Sequence, residues 1–166
     1  MTFAHRSAVL TDLPEIVRIY NSTIASREVT ADLEPVTEAS RLAWLQEHTS
    51  TVTRPLWVAE DGGRIAGWLS FSDFHARAAY RHTAEISVYV DEKMRGKGVG
   101  RFLLQQAIAA APDLEIHTLI GLIFAHNVRS LKLFERTGFV RWAEMPRIAE
   151  LDDIERDLVI VGKRVA

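Results

Sequence analysis

The sequence predicts an α/β fold in which a central mixed, mostly antiparallel sheet carries helices on both faces. Three patterns predict it. The segment Thr118-Leu119-Ile120-Gly121-Leu122-Ile123-Phe124 is almost wholly apolar, as a strand covered on both sides should be. Leu56–Glu60 and Ile65–Phe71 flank Asp61-Gly62-Gly63-Arg64, a tight-turn sequence that marks a hairpin and so antiparallel pairing. Amphipathic stretches of helical period are interleaved with these strands and do not follow them as a block.

Taken in order, residues 5–10 read as a short strand. Thr11-Asp12-Leu13-Pro14-Glu15 then starts a helix, with Asp12 as cap, Pro14 in the first turn and Glu15 closing a capping box. Leu13, Ile16, Val17, Ile19 and Tyr20 form its buried side. The polar segment Ser26–Pro35 reads as a loop near a site entrance. A second helix runs from a Thr37 cap to His48 with Leu42 and Leu45 inward. After the hairpin, residues 73–82 make a polar, arginine-containing connection with a helical turn, leading into the strand Ala84–Val90. The next helix begins at Val99 or Gly100 and carries Val99, Leu103, Leu104, Ala107, Ile108 and Ala111 on one stripe until Pro112-Asp113 ends it. Asn127 caps a helix bearing Val128, Leu131 and Phe134, and Gly138 supplies its left-handed C-terminal position. Phe139–Met145 and Ile154–Val161 close the sheet as a pair. No repeat, low-complexity tract or linker divides this order, so residues 1–166 read as one domain.

Composition excludes several functions. Apolar residues make up 48% and charged residues 25% of the chain, which is ordinary for a globular protein. A net charge of −2 without any Lys/Arg block does not favour a nucleic-acid partner. The absence of cysteine removes disulfides, thiolate metal sites and a covalent acyl-cysteine route. The six histidines show no H-x-x-x-H pair and no clustered carboxylates, so no metal site is predicted. The four tryptophans read as core and interface residues. The start of the chain lacks an apolar signal segment and no run reaches membrane-spanning length, which makes the cytoplasm the expected location and a membrane partner unexpected.

The segment Arg95-Gly96-Lys97-Gly98-Val99-Gly100 stands between an apolar strand and an amphipathic helix. Alternating glycines let backbone N–H groups turn inward, and a helix beginning there adds unpaired donors and the positive end of its dipole. With Arg95, Lys97 and Arg101 beside it, the loop can hold a pyrophosphate. It is not a P-loop, because no Gly-Lys is followed by Ser or Thr. Nor is it a dinucleotide fingerprint, because Arg101 occupies the third glycine position and Asp91–Met94 separate it from the strand.

What remains, R-x-x-G-x-G opening a helix after a strand, resembles the coenzyme A loop of the GNAT superfamily of N-acetyltransferases. Leu133-Phe134-Glu135-Arg136-Thr137-Gly138-Phe139 is similar to the end of that family's downstream helix, and the element order agrees throughout. Phe74–Tyr80 followed by Thr83-Ala84-Glu85-Ile86-Ser87-Val88-Tyr89-Val90, together with Ile19-Tyr20-Asn21, resembles more closely the phosphinothricin and methionine sulfoximine acetyltransferases. That resemblance implies a dimer that acetylates the α-amine of a small amino-acid-like substrate with acetyl-CoA, by direct attack in a ternary complex.

Such a transfer requires a base for the ammonium, a held thioester and donors for the developing oxyanion. Strand alternation puts Glu85, Ser87 and Tyr89 on one face and Ala84, Ile86, Val88 and Val90 on the other. That spacing fits either a base in a site or a carboxylate on a solvated strand. The resemblance makes Glu85 the base, acting through a water. It also implies a substrate set of Phe71, His75, Ala76, Arg77, Tyr80, Glu85, Ile86 and Ser87. The implied acetyl-CoA set is Val88, Tyr89, Val90, Arg95, Gly96, Lys97, Gly98, Val99, Gly100, Arg101 and Asn127. A guanidinium fork matches a carboxylate, so Arg77 is the candidate for the substrate's carboxyl group, with Arg81 competing. Phe134 stands where many members place a tyrosine, and phenylalanine has no proton to give. Two other readings differ in substrate or class: acetylation of peptide or protein amines, and a non-catalytic acyl-CoA-binding module.

Overall fold

A computed structural model describes residues 2–166. The chain runs through β1 (Ala4–Ser7), α1 (Leu13–Ile24), α2 (Glu38–Ser50), β2 (Leu56–Asp61), β3 (Arg64–Asp73), β4 (Thr83–Val90), α3 (Val99–Ala110), β5 (Thr118–Phe124), α4 (Val128–Arg136), β6 (Val140–Leu151) and β7 (Ile154–Arg164). Among the described residues these strands form one seven-stranded sheet in the order β1-β2-β3-β4-β5-β7-β6. All neighbours are antiparallel except β4 and β5. The predicted mixed sheet and its element order are those observed.

Two apolar clusters sit on opposite faces. Under α3 and α4, Leu103, Leu104, Ala107 and Phe134 pack on Leu69, Phe71, Ile86 and Leu119. Under α1 and α2, Ile16, Ile19 and Leu45 pack on Val58 and Trp68. The Trp68 indole donates to the Ile16 carbonyl at 3.1 Å, so a buried polar atom in this second cluster is satisfied. At the far end of the sheet, Val140, Trp142, Ile148 and Ile154 remain exposed.

Three local expectations are corrected. Asp12 does not cap α1 with its side chain. Its carboxylate accepts Arg6 at 2.7 and 3.0 Å and the Val9 N–H at 2.8 Å, and so fixes the short helical turn Leu10–Asp12 that ends β1 early. Leu42 is exposed, because the inward stripe of α2 is Arg41, Trp44, Leu45 and His48. Arg41 lies over the Tyr20 ring at 5.1 Å and pairs with Asp32, which turns the helix away from the purely apolar pattern. The closing strands extend to Leu151 and Arg164, because Asp152 and Asp153 take left-handed φ of 51° and 61° and close a long two-residue hairpin.

The parallel β4–β5 ladder has three rungs: Thr83 with Thr118, Ala84 with Leu119, and Glu85 with Ile120. Beyond Glu85 the two strands part. This split positions the site.

Candidate active site

The split opens into a groove of about 600 Å³ between the start of α3 and one side of α4. Val88, Tyr89, Val90, Arg95, Gly96, Gly98, Val99, Gly100, Arg101 and Asn127 all line it. Of the loop residues 95–101, only Lys97 does not, its ammonium lying 3.7 Å from the Met94 sulfur. Gly96 and Gly98 have φ of +76° and +94°, with no heavy atom within 4 Å of where a Cβ would stand. Their backbone is therefore bare toward the groove. Gly98 caps α3 without a side chain, and the first helical bond at this end runs from Phe102 N–H to its carbonyl at 2.9 Å. The N–H groups of Val99, Gly100 and Arg101 thus have no acceptor one turn earlier and are free to meet an anion. A coenzyme pyrophosphate fits this donor set.

The loop is anchored from behind. Asp91 ends β4 nearly buried, accepts the Lys93 N–H at 2.8 Å and pairs with Arg18 of α1, which also bonds Glu15. Burial alone would raise the Asp91 pKa, but Arg18 and the Lys93 N–H outweigh it and hold the carboxyl below its ordinary range.

At the base of the split, a crevice of about 40 Å³ is lined by Ile86, Ser87, Val88, Tyr89, Leu122, Asn127, Ser130 and Phe134, among others. Phe134 reaches here because Gly121 of β5 leaves room: a Cβ on Gly121 would lie 2.8 Å from the Phe134 ring. Asn127 accepts the Ser130 N–H at 3.1 Å, the cap the sequence predicts.

Glu85 occupies the last rung before the split, half-buried and opposite Ser72 on β3. No hydrogen bond or ion pair holds its carboxylate among the described residues. Burial pushes its pKa up. Glu85 itself lines neither the groove nor the clefts beside it, whereas its partner Ser72 lines the larger cleft. A desolvated, unpaired carboxyl is the kind of group a general base needs.

On the Ser72 side, a cleft of about 620 Å³ is lined by Phe71, His75, Ala76, Arg77 and Arg81 together with Trp44 and His48 of α2. The Arg81 guanidinium reaches the Ala78 carbonyl at 3.4 Å, whereas the Arg77 guanidinium has no partner among the described residues. Tyr80 lies outside the cleft lining, its ring 5.1 Å from that of His75. The proposed substrate residues thus fall into two neighbouring places, with Ile86 and Ser87 in the crevice and Glu85 on the strand between.

The loop between α1 and α2 closes the groove from the other side through Ser26, Glu28 and Val29. Arg27 holds that loop with φ of 54°. Its guanidinium bonds Ile24 and Leu33 carbonyls and Asp152, and its own carbonyl faces His126 at 2.7 Å. Tyr20 reinforces it by bonding Thr30 and Asp32 at 2.5 Å each.

Residue-by-residue reading missed Arg129, Lys132 and Arg136, which add cations along the groove. Their spacing of three and four residues was the available signal, since it aligns them on one face of α4. Among the described residues there is no group of three or more His, Asp or Glu that could hold a metal ion, and no helix long and apolar enough to cross a membrane.

Comparison with known proteins adds to this geometry. The acetyltransferase (GNAT) family model matches residues 16–139. The Bacillus subtilis protein named "Putative phosphinothricin acetyltransferase YwnH" is 54% identical over 156 residues, which span 93% of this chain and 94% of that protein. The L-methionine sulfoximine/L-methionine sulfone acetyltransferase of Pseudomonas aeruginosa is 34% identical, spanning 90% of this chain and 87% of that protein. Among solved structures, a GNAT superfamily phosphinothricin acetyltransferase from Sinorhizobium meliloti in complex with acetyl-CoA superposes with a TM-score of 0.92 at 28% identity, covering 99% of this chain and 89% of that one.

Proposed function

The chain belongs to the acetyltransferase (GNAT) family and is an N-acetyltransferase with acetyl-CoA as donor; on that premise we propose that it acetylates the α-amine of a small amino-acid-like substrate. Phosphinothricin, methionine sulfoximine and methionine sulfone are the substrate types we assign to it. The observation that carries this reading is Glu85, an unpaired, desolvated carboxyl on the last rung of the β4–β5 ladder, opposite Ser72 of the cleft that holds Arg77.

In this mechanism the Arg77 fork binds the substrate's carboxylate, which aims the α-amine at the split. Glu85 takes the amine's proton through a water, and its raised pKa brings it closer to that of the group it deprotonates. The main-chain N–H groups of Val88 and Val90, on the strand edge that has lost its β5 partner, hold the thioester carbonyl and the pantetheine arm and stabilise charge developing on that oxygen, while the Tyr89 N–H stays in the ladder with β3. Asn127 adds its amide to the arm. Bound acetyl-CoA supplies an activated acetyl group, and the glycine loop holds its diphosphate.

We also assign a homodimer, supported by the apolar residues Val140, Trp142, Ile148 and Ile154 left exposed on the β6–β7 hairpin. A cytoplasmic location accords with a donor that is an intracellular metabolite. The test is a panel of amines assayed with acetyl-CoA and thiol detection, covering phosphinothricin, methionine sulfoximine, methionine sulfone and short peptides. Turnover of the amino-acid analogues is expected; turnover of peptides alone overturns the assignment.

A further inference from the structure

Acetyl transfer ends with a sulfur atom holding an extra electron pair, and Phe134 cannot donate to it. The residues shared by the long groove and the small crevice mark where that sulfur must lie: Val29, Val88, Tyr89, Asn127 and Ser130. Three of these have protic side chains. The Tyr89 ring is turned to the α1 face, stacked on Trp68 at 4.4 Å and close to Tyr20 at 5.0 Å. Asn127 is fixed at the mouth by its own cap bond. Ser130 lies one turn further in, on the same face of α4 as Phe134.

The Ser130 hydroxyl is unspent. Elsewhere in the chain, Ser22, Thr23, Ser26, Thr49, Ser50 and Thr137 each bond a carbonyl three residues back. Ser130 does not, and its main-chain N–H alone is engaged, with Asn127. A helical serine commonly bonds an earlier carbonyl in this way. One that leaves its hydroxyl toward a groove offers a donor there.

We infer that Ser130 donates a hydrogen bond to the departing sulfur and acts as a catalytic residue of the acetyl transfer. As the nitrogen–carbon bond forms and the carbon–sulfur bond breaks, the electron pair of the broken bond goes to sulfur. The Ser130 O–H points its hydrogen at that pair, and the amine's proton goes to Glu85. Serine keeps its proton, because an alkoxide is far more basic than a thiolate of pKa about 8.5. A donor toward a developing anion is worth more than one toward the neutral thioester, so it favours the transition state. The inference rests on acetyl transfer by this chain and is independent of which amine is used.

The test uses coenzyme A itself as probe. The thiol of bound coenzyme A is titrated by its ultraviolet thiolate absorption in the wild type, S130A and S130T, and single-turnover acetyl transfer is measured alongside. Loss of the hydroxyl in S130A is expected to raise the bound thiol's pKa by roughly one unit and to slow transfer roughly ten- to hundredfold. S130T, which keeps a hydroxyl, is expected to stay near the wild type in the titration. Identical thiol titrations in the wild type and S130A overturn the inference whatever happens to the rate, since a packing role would change rate alone. The titration needs no amine, so an error in the substrate assignment leaves it unaffected.

Discussion

Glu85 is paired with Ile120 at the last rung of the parallel ladder, so an unpaired half-buried carboxyl sits where the two strands separate. E85Q is therefore expected to lower kcat/KM roughly 10²- to 10⁴-fold, the usual worth of a general base, while acetyl-CoA affinity by calorimetry is unchanged. An equal loss of affinity would mean that Glu85 shapes the groove and does not act as a base.

The same carboxyl sets a pH dependence. Its folded pKa lies above the ordinary 4.5 because burial disfavours the charge. The folded state therefore binds the proton more tightly, and the stability this confers is lost as pH rises through the folded value. Activity should rise with pH over that interval as the base ionises, while stability falls. E85Q should consequently melt above the wild type at neutral pH and lose that advantage in acid. Melting curves at several pH values check this.

Asp91 has the opposite sign. Its carboxyl is held below the ordinary 3.8, so its stabilisation is full above that value and fades as pH falls through the folded one. D91A strands the Lys93 N–H and releases Arg18, and should cost about 1–3 kcal/mol by urea unfolding. Arg18 is partly exposed, which places the cost at the low end. Because the loop behind Gly96 loses its anchor, the KM for acetyl-CoA should rise as well.

G98A is expected to cost about 1–3 kcal/mol through backbone strain alone, since φ of +94° is unfavourable for alanine and no atom stands in the way of its Cβ. The methyl group would also face the diphosphate. Acetyl-CoA binding should weaken more than stability, a difference that calorimetry and thermal melts separate.

K132A with R136A should weaken acetyl-CoA binding, and the affinity of the double variant should depend less on salt than that of the wild type. A salt dependence equal to the wild type's would remove these residues from the binding surface.

The sheet, the element order and the glycine loop were legible because each is written in local pattern: alternation, helical stripes and glycine spacing. Leu42 was misread because Arg41 covers Tyr20 with its stem and guanidinium, a role that hydrophobic periodicity does not register. The capping pattern at Asp12 was overridden by Arg6, a partner six residues earlier whose approach depends on how β1 meets α1. The acetyl-CoA residues predicted by resemblance converge on one groove, apart from Lys97. The substrate residues do not share one surface, because the turn at Ala78–Tyr80 carries Tyr80 away from the cleft. The basic side of α4 escaped notice since its distance from the glycine loop is set by tertiary packing.

The separation of β4 from β5 after three rungs leaves two strand edges facing each other inside the protein. An extended amide-bearing molecule laid between them completes the sheet as a temporary eighth strand. Substrate binding is then partly an act of folding, and exchange of the Val88 and Val90 amides, which face the gap, should slow markedly once the donor is bound.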